Sequence, residues 1–426
     1  MTQALFSDIG WSGAAGRLPA GFDLAATALE HGAFVRARGV RSAADLLRLA
    51  LIYGATPLSL RSTAAWAEAT GLAALSDVSL LERLQRAGDW LAAIVEALLS
   101  AAIPPVAAGS GGARRVRLVD ATTTCAPGPR SGQWRLHADY ALGRSRFGGF
   151  KLTDQHEAES LEHFAPAPGD IFVADRFYAK ARQLHHAVAG GADFVVRRGL
   201  TSCRLLHADG AKFELARTLA AVGCRQTLDI PVLVPLPADT GGAPTAETGT
   251  VSPVRARLII RHLGQEAAVA ARRRASRKAA KQGQKATAKR LQAAEYIMLL
   301  TSLDAAEFSA DQVLDLYRLR WQIEIAFKRL KSVLGFADLA AKDPQLVRAC
   351  LYAKLIVALL CEDILQDLLD SPPSAPRYVA AVPLASLASR SRSAPDRHLR
   401  STRFGRLRRT SPPHHTQHRR AAKTTM

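Results

Sequence analysis

An α/β core preceded by an all-α domain is the fold class predicted by the order of patterns along this 426-residue chain. Three observations predict it. Residues 24–107 are rich in Ala and Leu at helical spacing and contain no alternating run. After Gly109-Ser-Gly-Gly112 short β-type runs replace them. Those runs come as three strands followed by strand, helix and strand, and two of them hand over to an aspartate.

Taken in order, the N-terminal region (1–108) holds two short helices, 60–72 and 76–84, joined through a glycine turn. A Ser-Asp start signal opens the second. This pair is compatible with helix-turn-helix, and equally with an ordinary helical hairpin, because its second helix offers only Arg83 and Arg86 as basic residues. The strands of the next region (113–197) fall at 116–121, 134–142, 150–153, 171–174 and 194–197, with a helix near 180–189 before the last. That order is the one found in a ribonuclease H-like sheet. Asp120 and Asp175 sit at the ends of the first and fourth strands, where carboxylates can converge on one site.

Residues 198–305 read as a β-rich insertion with a loop at 235–253, a strand at 255–261, a basic run and a closing apolar stretch, 296–300. The basic run, 272–290, has good helix formers, no apolar face and only Gly283 to break it. Residues 306–370 return to the core and end in helices. The apolar stretch 355–361, flanked by Lys354, Glu362 and Asp363, is too short for the roughly 20 apolar residues of a membrane span and reads as a buried helix. Past Asp370, Pro, Ser, Arg and His dominate, and 371–426 is expected to be a disordered basic tail, as if translation had left an ancestral frame. Its histidines His414, His415 and His418 offer no fixed ligand geometry.

The formal charge of +20 is concentrated in two places. Residues 272–290 carry nine Lys/Arg and no acid; residues 371–426 carry twelve and one acid, Asp396. Together they account for the whole excess, so the rest of the chain is balanced and the partner expected is a polyanion. Five cysteines, Cys125, Cys203, Cys224, Cys350 and Cys361, are odd in number and widely spaced, which argues for a reducing compartment and against a zinc or disulfide framework. The first residues lack the basic and apolar pattern of a signal peptide. A cytoplasmic, nucleoid-associated bacterial protein without a membrane partner is expected.

The chemistry-bearing segment is 317–331. Read as one helix, it brings Tyr317, Arg320, Glu324, Lys328 and Lys331 into a sector of about 80°, while Leu319, Ile323, Ala326, Leu330 and Leu334 form an apolar stripe opposite. A lone acid among basic residues is usually an ion pair. Two further acids at strand ends favour a different reading. Phosphodiester cleavage uses two divalent ions about 3.5–4 Å apart, and Mg²⁺ takes carboxylate oxygens, water and substrate phosphate. Asp120, Asp175 and Glu324 are therefore the candidate ligands of two Mg²⁺ ions, with Mn²⁺ as a substitute. Tyr317, Arg320, Lys328 and Lys331, with Arg197 and the basic-run residues Arg272, Arg273 and Arg274, are the candidate DNA contacts. His156-Glu157 reads as a surface pair. Arg176 fits an ion pair with Asp175 as well as a DNA contact.

These residues resemble the bacterial insertion-sequence transposases of the DDE class, in the insertion-sequence-four branch. Their signature Y-(2)-R-(3)-E-(6)-K is matched at every spacing by Tyr317, Arg320, Glu324 and Lys331. Val119-Asp-Ala-Thr122 matches the first-acid motif, Ala174-Asp-Arg-Phe-Tyr178 the second, and Asp193-Phe-Val-Val-Arg197 the strand that follows. The 148 residues between Asp175 and Glu324 suit the family's β-rich insertion. The resemblance covers about residues 59–369. It implies cut-and-paste transposition, in which strand nicking, a hairpin end and joining to target DNA reuse one metal site. It also implies that the N-terminal helices contact terminal inverted repeats on double-stranded DNA and that a homodimer forms the synaptic complex. Hairpin formation needs an extruded base stacked on an aromatic ring. No Trp lies between Trp134 and Trp321, which leaves Tyr296 or Phe213 for that role, or a route without a hairpin. The alternative function is a catalytically decayed or repurposed protein that still binds inverted repeats. A ribonuclease H-like nuclease would instead cut DNA independently of terminal repeats.

Overall fold

In a computed structural model, which describes residues 6–102, 114–127, 133–222, 227–236, 252–339 and 341–370, six helices open the chain. They are α1 (Asp8–Ala15), α2 (Leu24–Glu30), α3 (Ala43–Ala55), α4 (Leu60–Ala69), α5 (Asp77–Arg86) and α6 (Gly88–Ala102). Ser7, Asp23, Ser42, Ser59 and Ser76 each accept first-turn backbone N–H groups from the N-cap position, which fixes where the first five begin. The glycine turn expected after α4 is present: Gly71 has φ +67°, a region that side chains with a Cβ avoid.

Among the described residues nine strands follow, β1 (Arg115–Cys125), β2 (Gln133–Ala141), β3 (Arg146–Asp154), β4 (Asp170–Ala174), β5 (Asp193–Arg197), β6 (Leu206–His207), β7 (Thr227–Val234), β8 (Val254–His262) and β9 (Tyr296–Thr301). They form one sheet in the order β3-β2-β1-β4-β5-β9-β8-β7-β6. Strands β1, β4 and β5 are parallel neighbours, and the other pairings are antiparallel. The segment expected as an insertion thus continues the same sheet. Its closing apolar stretch is β9, a central strand with Met298, Leu299 and Leu300 buried between β5 and β8.

One face of this sheet carries α7 (Ala181–Ala189), whose Leu184 and Ala187 pack with Phe172, Phe194, Ile260 and Leu300. Short helix α8 (Leu215–Ala221) joins the same core through Leu215 and Leu219. The basic run is helical, as α9 (Gln265–Lys281) and α10 (Ala288–Ala293), and it breaks at Gly283, where φ is +68°.

Three helices complete the described chain: α11 (Ala310–Arg318), α12 (Trp321–Val333) and α13 (Pro344–Asp370). The stretch 355–361 lies in α13 and is largely buried, as expected. By length and apolarity α13 would suffice for a membrane span, but 72% of its most apolar window is buried inside the fold. Its partners are α3, α5 and α6 of the N-terminal region. At Gly54 the α3 and α13 backbones approach so closely that a Cβ would lie 2.6 Å from the Ala353 Cβ and 3.2 Å from the Cys350 carbonyl oxygen. The four described cysteines, Cys125, Cys203, Cys350 and Cys361, are not in disulfides. Cys224, the 109–112 linker and the tail expectation for 371–426 lie outside the described residues.

Candidate active site

The segment expected as one helix from Tyr317 to Lys331 is two. Leu319 and Arg320 donate their N–H groups to the carbonyls of Leu316 and Tyr317, three residues back at 3.1 Å each, so the chain tightens and restarts as α12 at Trp321. No Gly or Pro marks this joint. Tyr317 therefore ends up buried at the end of α11, with the Arg320 guanidinium 5.9 Å from its ring centroid. The apolar stripe survives beyond the joint: Ile323, Ala326 and Leu330 are buried, and Phe327 packs 6.1 Å from Phe147 of β3.

This stripe lays α12 along the second half of β1. Lys331 Nζ donates to the Thr123 carbonyl at 3.1 Å. Toward the other end of α12, Arg320 Nη1 lies 3.3 Å from Asp120 Oδ2, while its Nη2 donates to Glu324 Oε1. Asp120 and Glu324 thus share one cation. The C-terminal end of α12 is held by Lys354 of α13, which is buried and donates to the carbonyls of Leu334, Gly335 and Asp338 at 3.4, 2.6 and 3.0 Å.

Sheet register places the second acid. The last β1–β4 pair is Val119 with Ala174, and the last β4–β5 pair is Ala174 with Val196. Asp120, Asp175 and Arg197 are each one residue further on. They stand side by side across the three parallel strands, Asp175 and Arg197 at the C-terminal ends of β4 and β5, but Asp120 in the middle of β1, which runs on to Cys125 instead of ending at residue 121 because its pairing with β2 continues. Asp175 also caps the 3-10 turn Arg176–Tyr178, accepting from the Phe177 N–H at 2.6 Å. Burial pushes the Asp120 carboxyl up to about 6, and the nearby Asp175 and Glu324 carboxylates add to the effect, against the Ala121 N–H and Arg320. Arg320 would be lowered by its own burial, yet Tyr317, Glu324 and Asp120 raise it on balance.

The other expected contacts are surface residues. Lys328 is exposed on α12, and Arg273 and Arg274 are exposed on α9. Arg272 is paired with Glu295 at 3.0 Å. Val269, Leu291, Ser276 and the arginines 272, 273 and 277 line a groove of about 500 Å³ beside α9. Arg176 lies over the Phe177 ring at 5.4 Å. His156 and Glu157 are exposed, as expected of a surface pair. Tyr296 and Phe213 are both buried in the core beside α8, and the Tyr296 hydroxyl donates to the Leu219 carbonyl at 3.3 Å. Neither offers a ring face to an extruded base.

Two residues near the acids were not singled out from the sequence. Glu159, half-buried, follows the His156-Glu157 pair, and Tyr178, fully buried, closes the Asp175 motif. The sequence signal for Tyr178 was its place in that motif. For Glu159 there was none.

Adjacent parallel strands that gather carboxylates, faced by a helix bringing a third acid and an arginine, define a site of the kind that handles phosphodiesters through divalent cations. Comparison with known proteins gives the family. The family described as "Transposase DDE domain" matches residues 153–360, a span that contains Asp175 and Glu324 and begins after Asp120. The putative transposase InsL for insertion sequence element IS186A of Escherichia coli (strain K12) is 39% identical over 369 residues, covering 86% of this chain and 97% of that protein. The transposase for insertion sequence element IS421 of Escherichia coli is also 39% identical, over 370 residues, with the same coverage. The chain belongs to the DDE transposases of bacterial insertion sequences, and its activity is transposition by DNA cleavage and strand transfer. Membership implies dependence on a divalent metal.

Proposed function

We propose that Asp120, Asp175 and Glu324 are the catalytic acids and hold two Mg²⁺ ions, for which Mn²⁺ substitutes, in a ribonuclease H-like core. The observation that carries this is the shared guanidinium. Asp120 and Glu324 already take one cation, Arg320, between them, beside Asp175 at the strand edge. Among the described residues no three His, Cys, Asp or Glu side chains are grouped closely enough to hold a metal ion. Arg320 is therefore assigned two positions, between the acids without metal and on a substrate phosphate with it. The donor set is all oxygen, which suits Mg²⁺. When bound, the ions supply activation of the attacking hydroxyl and stabilisation of the leaving oxygen.

The chain's own groups orient the DNA. Released from the acids, the Arg320 fork matches two phosphate oxygens, and Arg197, beside Asp175, extends the positive edge. Lys328, Arg273 and Arg274 attract the duplex more generally, and the helices of residues 1–108 read the terminal inverted repeats. A homodimer brings two ends together before target joining. Since Phe213 and Tyr296 are buried, neither is assigned to a hairpin step.

The test is cleavage of DNA bearing the flanking inverted repeats, with Mg²⁺, by the native chain, Asp120→Ala and Glu324→Gln. Both variants are expected to lose cleavage while still binding the DNA. Equal activity in all three would sink the assignment.

A further inference from the structure

Behind the strand edge lies a second arrangement that the three acids do not explain. Tyr178 is three residues beyond Asp175, and the 3-10 turn that Asp175 caps carries its side chain into the core. Its hydroxyl is fully enclosed and has no hydrogen-bond partner among the described residues. A buried hydroxyl without a partner is expensive, because water satisfies it in the unfolded chain. Native folds retain such groups where something else completes them.

The surroundings of that hydroxyl are acidic. Tyr178 is held well above the ordinary tyrosine range, by burial first and then by Glu159, Asp120 and Asp175 in that order. Glu159 is in turn raised by its own burial and by Asp120 and Asp175, against Arg135 and Lys180. The backbone around Glu159 is pinned to the helix that follows Tyr178. Gln183 of α7, itself buried, donates to the Glu159 carbonyl at 3.1 Å and accepts from the Leu161 N–H at 3.4 Å. Position is thus imposed on Glu159 by the fold, not left to a flexible loop.

We propose that Glu159 and the Tyr178 hydroxyl are positioning residues for the divalent-cation site, a fourth carboxylate and a donor that hold the hydrated cation's water and ligand oxygens in place. The proposal rests on the three-acid reading above. A hydrated divalent cation supplies what both groups lack: positive charge among the carboxylates, and an oxygen to accept from the hydroxyl. Outer partners of this type usually cost about 10- to 100-fold in metal affinity when removed.

The test uses the full chain without DNA and Mn²⁺ as probe, with free ion followed by electron paramagnetic resonance and metal-free melting temperature measured alongside. Glu159→Gln and Tyr178→Phe are each expected to weaken Mn²⁺ binding roughly tenfold or more. Their metal-free melting temperatures should be unchanged or higher, since the hydroxyl has no partner to lose. Glu157→Gln, exposed nearby, should match the native chain in both respects. If Asp120→Ala abolishes binding while Glu159→Gln and Tyr178→Phe bind like the native chain, this inference falls and the three-acid reading stands. If the native chain binds no Mn²⁺, both fall. A lowered metal-free melting temperature in Tyr178→Phe would assign the hydroxyl to the fold and overturn its role here.

Discussion

Asp120 should weaken the protein that depends on it, and replacing it by Asn tests this directly. Its side chain is 20% exposed and its carboxyl is raised from 3.8 to about 6 by burial and by Asp175 and Glu324. Holding the ionised form in the fold therefore costs about 3 kcal/mol at neutral pH, after the help of Arg320 is included. The sign follows from where the proton sits. Below about pH 4 the residue is protonated in folded and unfolded chains alike, and no difference arises. Between about 4 and 6 the folded chain keeps the proton that the unfolded chain has released, so stability falls as pH rises; above about 6 the loss is complete. Metal-free urea unfolding of native chain and Asp120→Asn from pH 4 to 8 reads this out. The variant should be more stable by up to about 3 kcal/mol at pH 7.5, and the two curves should converge near pH 4. A variant that is less stable at pH 7.5, or a gap that does not change with pH, would refute the reasoning.

Other outcomes follow from packing and charge. Gly54→Ala should destabilise by about 1–3 kcal/mol in thermal melts, because the new methyl meets Ala353 and the Cys350 carbonyl where α3 touches α13. Lys354→Met should lower stability by about 2–3 kcal/mol and reduce strand cleavage, since three carbonyls at the end of the Glu324 helix lose their charged donor. In DNA-binding titrations across salt, Arg273→Ala with Arg274→Ala should flatten the slope of log affinity by roughly 0.9 for each phosphate contact removed.

Legibility in the sequence followed the range of the interactions involved. The first five strands of the sheet were readable because each contains a short β-type run, and β4 stops at Ala174, one residue before Asp175 and the turn that it caps. Asp120 and Asp175 stand out because each follows an apolar run; only Asp175 lies at a strand end, because the Thr-rich residues 121–125 continue β1 without an apolar signal. The break at Leu319–Arg320 was not readable: the residues on both sides keep helical spacing, and the joint is made by tightened hydrogen bonds rather than by a helix-breaking residue. Nor was the continuation of the sheet through β9, since the pairing of Val195 with Thr301 joins segments a hundred residues apart. Arg320 was read as a phosphate ligand, and its guanidinium lies between Asp120 and Glu324. Glu159 has no motif, and only the grip of Gln183 on its backbone reveals where it goes.

The packing of α13 against α3, α5 and α6 has a consequence for the timing of synthesis. The apolar faces of α3 and α6 leave the ribosome early, while the helix that covers them is encoded after the whole sheet. At roughly 5–20 residues per second, that interval is on the order of tens of seconds. A nascent chain thus cannot complete its N-terminal helical region until the Glu324 helix and its Lys354 clamp have also been made. The part proposed to read DNA ends and the part proposed to cut them are finished by the same helix.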